Sequence, residues 1–156
     1  MNFTTNEQLV LASASPRRKE LLAMLGVPFQ IVTSDVEETS VQANSAEDYV
    51  KGVALLKTRD VANKCQNQCV IGADTIVVYN DQLLHKPKSH EEAVTHLKQL
   101  CGNRHAVMTA VAIILADGTE HAFVEKTDVL FKDVSDEMIE AYVKTKDPFD
   151  KAGGYG

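Results

Sequence analysis

The residues most suited to chemistry lie near the N-terminus, where positions 13–19 read Ser-Ala-Ser-Pro-Arg-Arg-Lys. Ser15 fits the N-cap of a helix and Pro16 its first position, which leaves backbone N–H groups of the first turn to bind an anion. Arg17 and Arg18 add guanidinium groups that can bind the same anion through paired hydrogen bonds. Two interpretations stay open: a phosphate site, or an ordinary capped helix with solvated arginines. The chain has no Gly-x-x-x-x-Gly-Lys motif, which excludes a P-loop protein.

A second candidate is Asp74, in the segment Gly-Ala-Asp-Thr at positions 72–75 within an otherwise apolar β region. An unpaired buried carboxylate is costly, so such a residue usually binds a ligand or metal or takes part in catalysis. The alternative is a strand-end aspartate bonded to backbone N–H groups. Glu37 and Glu38 by themselves indicate a solvated acidic loop. Together with Asp74 they could supply the hard oxygen ligands that Mg²⁺ or Mn²⁺ prefers.

The C-terminal residues 150–156 read Asp-Lys-Ala-Gly-Gly-Tyr-Gly, which is too rich in glycine for the interior of a helix or strand. This composition predicts a tight loop whose backbone closely approaches a neighbouring group. Lys57 and Lys86 are single cations, and the ordinary interpretation of such lysines is that they face solvent.

The composition predicts one soluble domain: 156 residues, of which 44% are hydrophobic and 24% charged. The net charge of −6 argues against general binding to nucleic acids or anionic membranes, so any cationic site must be local. No apolar run approaches the roughly 20 residues of a membrane helix, and residues 1–8 do not resemble a signal peptide. The three cysteines are predicted to be free thiols. A cytoplasmic protein is expected.

The elements that must position these residues are predicted in the order β-α-β-α-β-β-α-β-β-α. The predicted strands cover residues 9–12, 29–33, 70–79 with an interruption at 72–75, 82–85, 106–115 and 121–131. The predicted helices begin at or just after residues 15, 45, 89 and 135; the first ends at Gly26, the second near residue 64 and the third at Leu100. Hairpins pair strands antiparallel and helical crossovers pair them parallel, so the pattern predicts an α/β fold with a mixed sheet.

Five of these motifs occur in the order typical of the Maf family of nucleoside triphosphate pyrophosphatases, which this chain resembles from about residue 9 to its last residue. Each motif is weak or moderate alone, but five in register make the resemblance specific. The motifs are Ser-x-Ser-Pro-Arg-Arg at 13–18, the Glu37-Glu38 pair, Gly-Ala-Asp-Thr at 72–75, Lys86-Pro87 and the glycine-rich segment 150–156.

The resemblance implies the fold of the inosine triphosphate pyrophosphatases: two lobes on a curved mixed sheet, with the active site in a central cleft. It implies hydrolysis between the α- and β-phosphates, which gives a nucleoside monophosphate and pyrophosphate, with Mg²⁺ or Mn²⁺ as cofactor. Within the family, these motifs resemble the branch that acts on dTTP and UTP. The alternatives are other bases, such as modified pyrimidines or 7-methyl-GTP, and a non-catalytic nucleotide-binding or division-regulating protein. A homodimer remains one option for the oligomeric state.

Site residues follow from the resemblance position by position. Asp74 resembles the catalytic base and Glu38 a catalytic carboxylate, and the same two residues are the expected metal ligands. The residues expected to bind the substrate are Ser13, Ser15, Arg17, Arg18, Lys57, Thr75, Lys86 and Lys151. Among these, Arg17 and Thr75 match two positions associated with base preference.

Family members continue after Gly-Tyr-Gly with an Ile-Gln-Gly segment, further strands and a closing helix. We therefore expect a Maf-like domain over residues 9–156 that is truncated at its C-terminus, preceded by a tail of residues 1–8. The last predicted helix carries an apolar stripe that needs a partner surface, formed by Met138, Ile139, Tyr142 and Val143. A longer form is expected to be more stable and more active, which intact-mass measurement, urea unfolding and UTP turnover of both lengths would test.

Overall fold

The structure is a computed structural model that describes residues 3–156, apart from the side chain of Thr39. Residues 1 and 2 of the predicted tail lie outside the described residues. The strands and α-helices are β1 Leu9–Leu11, α1 Pro16–Ala23, β2 Phe29–Ile31, α2 Ala46–Lys64, β3 Cys69–Tyr79, β4 Gln82–Leu84, α3 His90–Leu100, β5 Arg104–Ile114, β6 Glu120–Leu130 and α4 Asp136–Lys144. Short 3₁₀ helices cover Glu38–Ser40, Asp147–Asp150 and Ala152–Gly154. This order of elements confirms the predicted one.

The six strands form one mixed sheet in the order β2-β1-β3-β5-β6, with β4 paired to β3 outside this path. Strand β1 pairs in parallel with β2 and with β3, because helices α1 and α2 make the crossovers. Strand β4 pairs antiparallel with β3, from which it is separated by Asn80 and Asp81, both at positive φ. The α/β class and the mixed sheet are therefore confirmed.

The predicted interruption of the third strand at residues 72–75 is wrong, because β3 runs without a break from Cys69 to Tyr79. Gly72 is inside the strand because α2 approaches it there: a Cβ atom on Gly72 would lie 2.0 Å from Oγ1 of Thr58. Thr58 is fully buried in α2, and its hydroxyl donates to the carbonyl of Ala54 at 2.6 Å. The glycine marks close contact of a helix and a strand.

Helix α1 ends earlier than predicted, at Ala23, and the two turn residues Met24 and Leu25 lead to Gly26. Gly26 has φ +72 and donates its N–H to the carbonyl of Ala23. None of the eight residues of α1 is buried, and Leu21 is 65% exposed. The helix is therefore attached to the protein mainly through its first turn.

The chain divides into two compact units, each with its own apolar cluster. The first unit comprises Met1–Asp74 and Ala110–Val124, and the second comprises Thr75–Thr109 and Glu125–Gly156. The cluster of the first unit joins β1, α2 and β3 through Val10, Ala12, Val61 and Val70. The main cluster of the second unit joins α3 to α4 through Ala93, Val94, Leu97, Ile139 and Val143.

The apolar stripe of α4 thus already has a partner within the second unit. Ile139 and Val143 are buried against α3, whereas Met138 is 61% exposed. The three cysteines are free thiols. Within residues 3–156, no helix combines the length and the apolar character that a membrane span requires.

Candidate active site

The junction of β1 and α1 is fixed by two serine side chains in the first unit. The Ser15 hydroxyl caps α1 by accepting from the backbone N–H of Arg18 at 3.4 Å, as predicted. The backbone N–H of Ser15 in turn donates to Oγ of Ser13 at 3.2 Å. These bonds hold the turn that leads into the first helical residues, where Arg17 is exposed.

Arg18 ties the first turn of α1 to β3. Its Nη1 donates to Oγ of Ser13 at 3.2 Å and to the backbone carbonyl of Ala73 at 2.9 Å. Burial lowers the pKa of Arg18, and the nearby carboxylates of Asp74 and Glu38 oppose that effect. Arginine stays protonated at neutral pH, so a positive charge is held beside these carboxylates. The interpretation of Arg18 as a solvated surface residue is therefore wrong.

Asp74 lies in the middle of β3, with its side chain only 13% exposed. Burial raises its pKa, and the charge of Glu38 raises it further, whereas Lys57 and Arg18 act in the opposite direction. Because β3 continues to Tyr79, the alternative of a strand-end aspartate does not apply. The carboxylate occupies a site that disfavours its own charge even though two cations are near.

Lys57 lies between the two predicted catalytic carboxylates. Its Nζ atom is 3.5 Å from Oδ1 of Asp74 and forms a second ion pair with Oε1 of Glu38. The close packing of Thr58 on Gly72 explains this placement, because Lys57 precedes Thr58 in α2 and Asp74 follows shortly after Gly72 in β3. The solvent-facing interpretation of Lys57 is therefore wrong.

Two further groups at this site were not predicted from the sequence. Tyr49 of α2 is half-buried, and its pKa is raised by burial and then by the negative charges of Glu38 and Asp74. The other group is the Ala73 carbonyl, which binds Arg18. The spacing i, i+4, i+8 of Tyr49, Val53 and Lys57 places the three residues close to one side of α2 and could have identified the tyrosine. A backbone carbonyl has no comparable signal.

The carboxylates of Glu38 and Asp74 are the groups of this site that could contribute ligands to a divalent cation. In the part of the chain that the structure describes, no group of three or more His, Cys, Asp and Glu side chains is arranged to hold a metal. Glu38 and Asp74 nevertheless share one ammonium group, that of Lys57, which shows that their oxygens converge on a cation. Mg²⁺ typically takes one or two carboxylates and completes its shell with phosphate and water, so two carboxylates are sufficient.

The remaining predicted site residues belong to the second unit. Oγ1 of Thr75 is hydrogen-bonded to Oγ1 of Thr109 at 2.9 Å. Lys86 is exposed in the segment that follows β4. The ammonium of Lys151 donates to Oδ1 of Asp147 at 2.7 Å and to Oδ1 of Asp150 at 3.0 Å. Burial lowers the pKa of Lys151, but these bonds outweigh it and the net shift is upward.

The glycine-rich segment forms the close backbone approach that its composition predicts, as a tight turn in which Ala152–Gly154 is a short 3₁₀ helix with non-helical dihedrals at Gly153. Gly153 and Gly154 have φ values of +72 and +82, which favour glycine. A Cβ atom on Gly153 would lie 2.9 Å from Cγ2 of Val77, so the loop backbone packs directly on β3. The backbone N–H of Gly153 donates to the carbonyl of His85 at 3.2 Å, which connects the loop to the segment that carries Lys86.

The fold is similar to that of two solved proteins. The Staphylococcus aureus Ham1 protein superposes with a TM-score of 0.57 at 18% identity, covering 83% of this chain and 73% of that chain. A structure described as a nucleoside-triphosphatase / dITP/XTP pyrophosphatase from Mycobacterium abscessus gives a TM-score of 0.53 at 16% identity, covering 79% and 73% of the two chains. At these identities the likeness concerns the fold alone.

Sequence relatives are much closer. A Geobacillus protein named dTTP/UTP pyrophosphatase is 47% identical over 150 residues, which cover 96% of this chain and 80% of the relative. A Bacillus cereus protein of the same name is 48% identical, over 96% of this chain and 73% of the relative. The family model described as Maf-like protein matches residues 8–156. This chain therefore belongs to the Maf-like protein family.

Proposed function

We propose that this protein is a nucleoside triphosphate pyrophosphatase that hydrolyses dTTP and UTP to the monophosphate and pyrophosphate. The relatives at 47% and 48% identity, both named dTTP/UTP pyrophosphatase, support the substrate class. The observation that carries the chemistry is the buried carboxylate of Asp74, held beside the cations of Lys57 and Arg18. Such a group suits proton transfer next to a polyanionic substrate.

Asp74 is the proposed general base. Its raised pKa makes the ionised carboxylate more basic than an exposed aspartate. In the proposed step, a water oxygen forms a bond to the α-phosphorus and Asp74 takes the proton that the water loses. The bond from the α-phosphorus to the bridging oxygen breaks, and its electron pair leaves with pyrophosphate.

Arg18 and Lys57 are proposed to bind the phosphates. A nucleoside triphosphate carries about four negative charges, and catalysis of phosphoryl transfer depends largely on preorganised positive charge. Arg18 is held by Ser13 and by the Ala73 carbonyl, so its position is set before substrate arrives. The roles of Ser13, Ser15, Arg17, Thr75, Lys86 and Lys151 in substrate binding remain predictions.

Glu38 and Asp74 are the proposed ligands of Mg²⁺ or Mn²⁺. When bound, the cation supplies positive charge against the departing pyrophosphate. It also offsets the two carboxylates, which would otherwise repel the substrate. Activity should be lost in excess EDTA and return when Mg²⁺ or Mn²⁺ is added in excess.

³¹P NMR on UTP, dTTP and 7-methyl-GTP tests the proposal, because it reports the cleavage site and the substrate together. UTP and dTTP should give pyrophosphate and a monophosphate, without orthophosphate as a first product. Early nucleoside diphosphate would contradict the reaction, and preference for 7-methyl-GTP would contradict only the choice of base. Nucleotide binding without any turnover would favour the non-catalytic alternative.

A further inference from the structure

His105 is a buried titratable residue to which the proposed hydrolysis of nucleoside triphosphates assigns no role. It lies in β5, is 3% exposed, and its Nε2 is hydrogen-bonded to the hydroxyl of Tyr155. Its other ring nitrogen, Nδ1, is buried and has no hydrogen-bond partner among the described residues. Burial lowers the pKa of His105, so the ring is neutral at pH 7. A buried ring nitrogen without a hydrogen-bond partner costs free energy, so an apolar side chain would pack at this position at lower cost. The hydrogen bond of Nε2 to Tyr155 is therefore the feature that distinguishes His105 from an apolar residue.

That hydrogen bond belongs to a small aromatic cluster inside the second unit. The ring centroids of His105 and Tyr155 are 5.4 Å apart, and those of Phe131 and Tyr155 are 5.0 Å apart, both in edge-to-face geometry. The Tyr155 ring also packs against the apolar cluster of Val77, Leu84 and Leu100. Tyr155 is therefore fixed at its ring and at its hydroxyl.

Tyr155 immediately follows the glycine-rich loop, so fixing this side chain also fixes the loop. The loop packs on Val77 through Gly153, whose N–H also holds the carbonyl of His85. Lys86 follows His85, and Lys151 precedes the two glycines. Two lysines are thus attached to one short framework that ends at the bond between Tyr155 and His105.

We infer that His105 is a positioning residue for the lysines of this framework. Its bond to Tyr155 fixes residues 151–155 and, through Gly153, the segment that carries Lys86. The inference rests on the proposed function, in which both lysines bind substrate phosphates. His105 does not touch the substrate in this arrangement; its effect reaches the lysines through Tyr155.

The test removes the hydrogen bond while keeping the rings. Tyr155→Phe deletes only the hydroxyl, and His105→Phe keeps an aromatic ring without a polar atom. Each should raise the KM for UTP about five- to tenfold, the effect of one hydrogen bond, with kcat within about twofold because the lysines bind ground state and transition state alike. The double variant should equal the single ones, because both remove the same bond.

Two controls separate positioning from general packing. Tyr79→Phe removes the hydroxyl of a tyrosine that packs on the same apolar cluster, and its KM should not change. His105→Gln keeps a polar group near the position of Nε2 and should recover part of the loss. A KM that stays constant in Tyr155→Phe, or additive effects in the double variant, would overturn the inference. If His105→Phe fails to fold, Tyr155→Phe and His105→Gln decide the matter.

The inference can fail independently of the proposed function. The dissociation constant for inorganic tripolyphosphate measures phosphate binding without turnover. A parent protein that binds tripolyphosphate but does not hydrolyse UTP would contradict the function, while a five- to tenfold weaker affinity in Tyr155→Phe would still support the inference. Equal affinities in the parent and Tyr155→Phe would overturn it. The ¹⁵N resonance of His105 Nε2 should shift in Tyr155→Phe, and an unmoved resonance would also contradict the proposed bond.

Discussion

The ammonium of Lys57 is shared by two carboxylates: its Nζ lies 3.5 Å from Oδ1 of Asp74 and also contacts Oε1 of Glu38. The pKa of Asp74 is nevertheless raised, because the effect of burial exceeds that of the lysine. The protein therefore holds an ionisable group where its charge is unfavourable. Such positions tend to be used for function at a cost in stability.

Asp74→Asn should remove most of the UTP turnover and leave nucleotide binding within a few-fold of the parent. The amide keeps the shape of the side chain but cannot accept a proton, and general-base catalysis contributes about 10²–10⁴-fold. Single-turnover rates and calorimetric binding of UTP measure the two effects separately. Asp60→Asn is a matched control on the surface of α2, and its turnover should not change. Near-normal turnover of Asp74→Asn would show that Asp74 is not the base.

In metal-free buffer, the same Asp74→Asn variant should be more stable than the parent at pH 7. The pKa of Asp74 is higher in the folded state than in the unfolded state, so the folded state binds more protons between the two values. The parent therefore loses stability as pH rises through that window, and Asn removes the loss. Urea unfolding at several pH values should show the advantage growing upward from the ordinary aspartate range and then levelling.

In the same urea unfolding experiment, Asp60→Asn should lower the free energy of unfolding at neutral pH, the opposite of the effect of Asp74→Asn. Hydrogen bonds from Ser34, together with Lys64 and Asp35, lower the pKa of Asp60. Its contribution is therefore present above the ordinary aspartate pKa and is lost as pH falls through the lowered value. A stabilising effect of Asp60→Asn at neutral pH, or a destabilising one of Asp74→Asn, would contradict the respective environments.

Lys57→Met should move the acid limb of the kcat/KM profile for UTP to higher pH. That profile reports the free enzyme, in which Asp74 must be ionised to act as base, and the ammonium of Lys57 lowers the pKa of Asp74. Lys64→Met, on the same helix but paired with Asp35 and Asp60, is the matched control. Protonation of UTP affects the profile of every variant equally, so a shift between variants reports the protein. An unmoved limb in Lys57→Met would separate Lys57 from the base.

Gly72→Ala should destabilise the protein by about 1–3 kcal/mol, the usual cost of overpacking. The new methyl group would lie 2.0 Å from Oγ1 of Thr58. Thr58→Ala removes that oxygen, so the double variant should regain part of the urea midpoint that Gly72→Ala loses. Turnover of UTP should fall in Gly72→Ala and recover in the double variant, because the same contact places Lys57. If the losses of stability in the two single variants add up in the double variant, the contact between residue 72 and Thr58 does not cause the destabilisation.

Secondary structure was predictable because its signals are local. Apolar periodicity gave the correct order of strands and helices, and four serines mark helix starts. The side chain of each serine accepts a hydrogen bond from a backbone N–H in the first turn of its helix. The serines are Ser15, Ser45, Ser89 and Ser135. These bonds join residues three apart in the chain, so the sequence alone is sufficient to identify them.

The contacts that build the site depend on tertiary packing and were only partly predictable. The glycine at position 72 predicts a strand break from the sequence alone, although its absent side chain makes room for Thr58 of α2. Lys57 had no local signal that distinguishes it from a surface lysine, and its ion pairs follow from that same approach of α2 to β3. The catalytic and binding roles of the site residues remain predictions.

Helix α1 is expected to have low local stability, because none of its residues is buried. With little apolar area to lose, it can open locally at a small fraction of the global unfolding free energy, so its amides should be among the first to undergo hydrogen exchange. An anion bound at its N-terminus would favour the closed helix by mass action. Exchange protection of α1 would then report how much of the protein carries nucleotide at a given concentration.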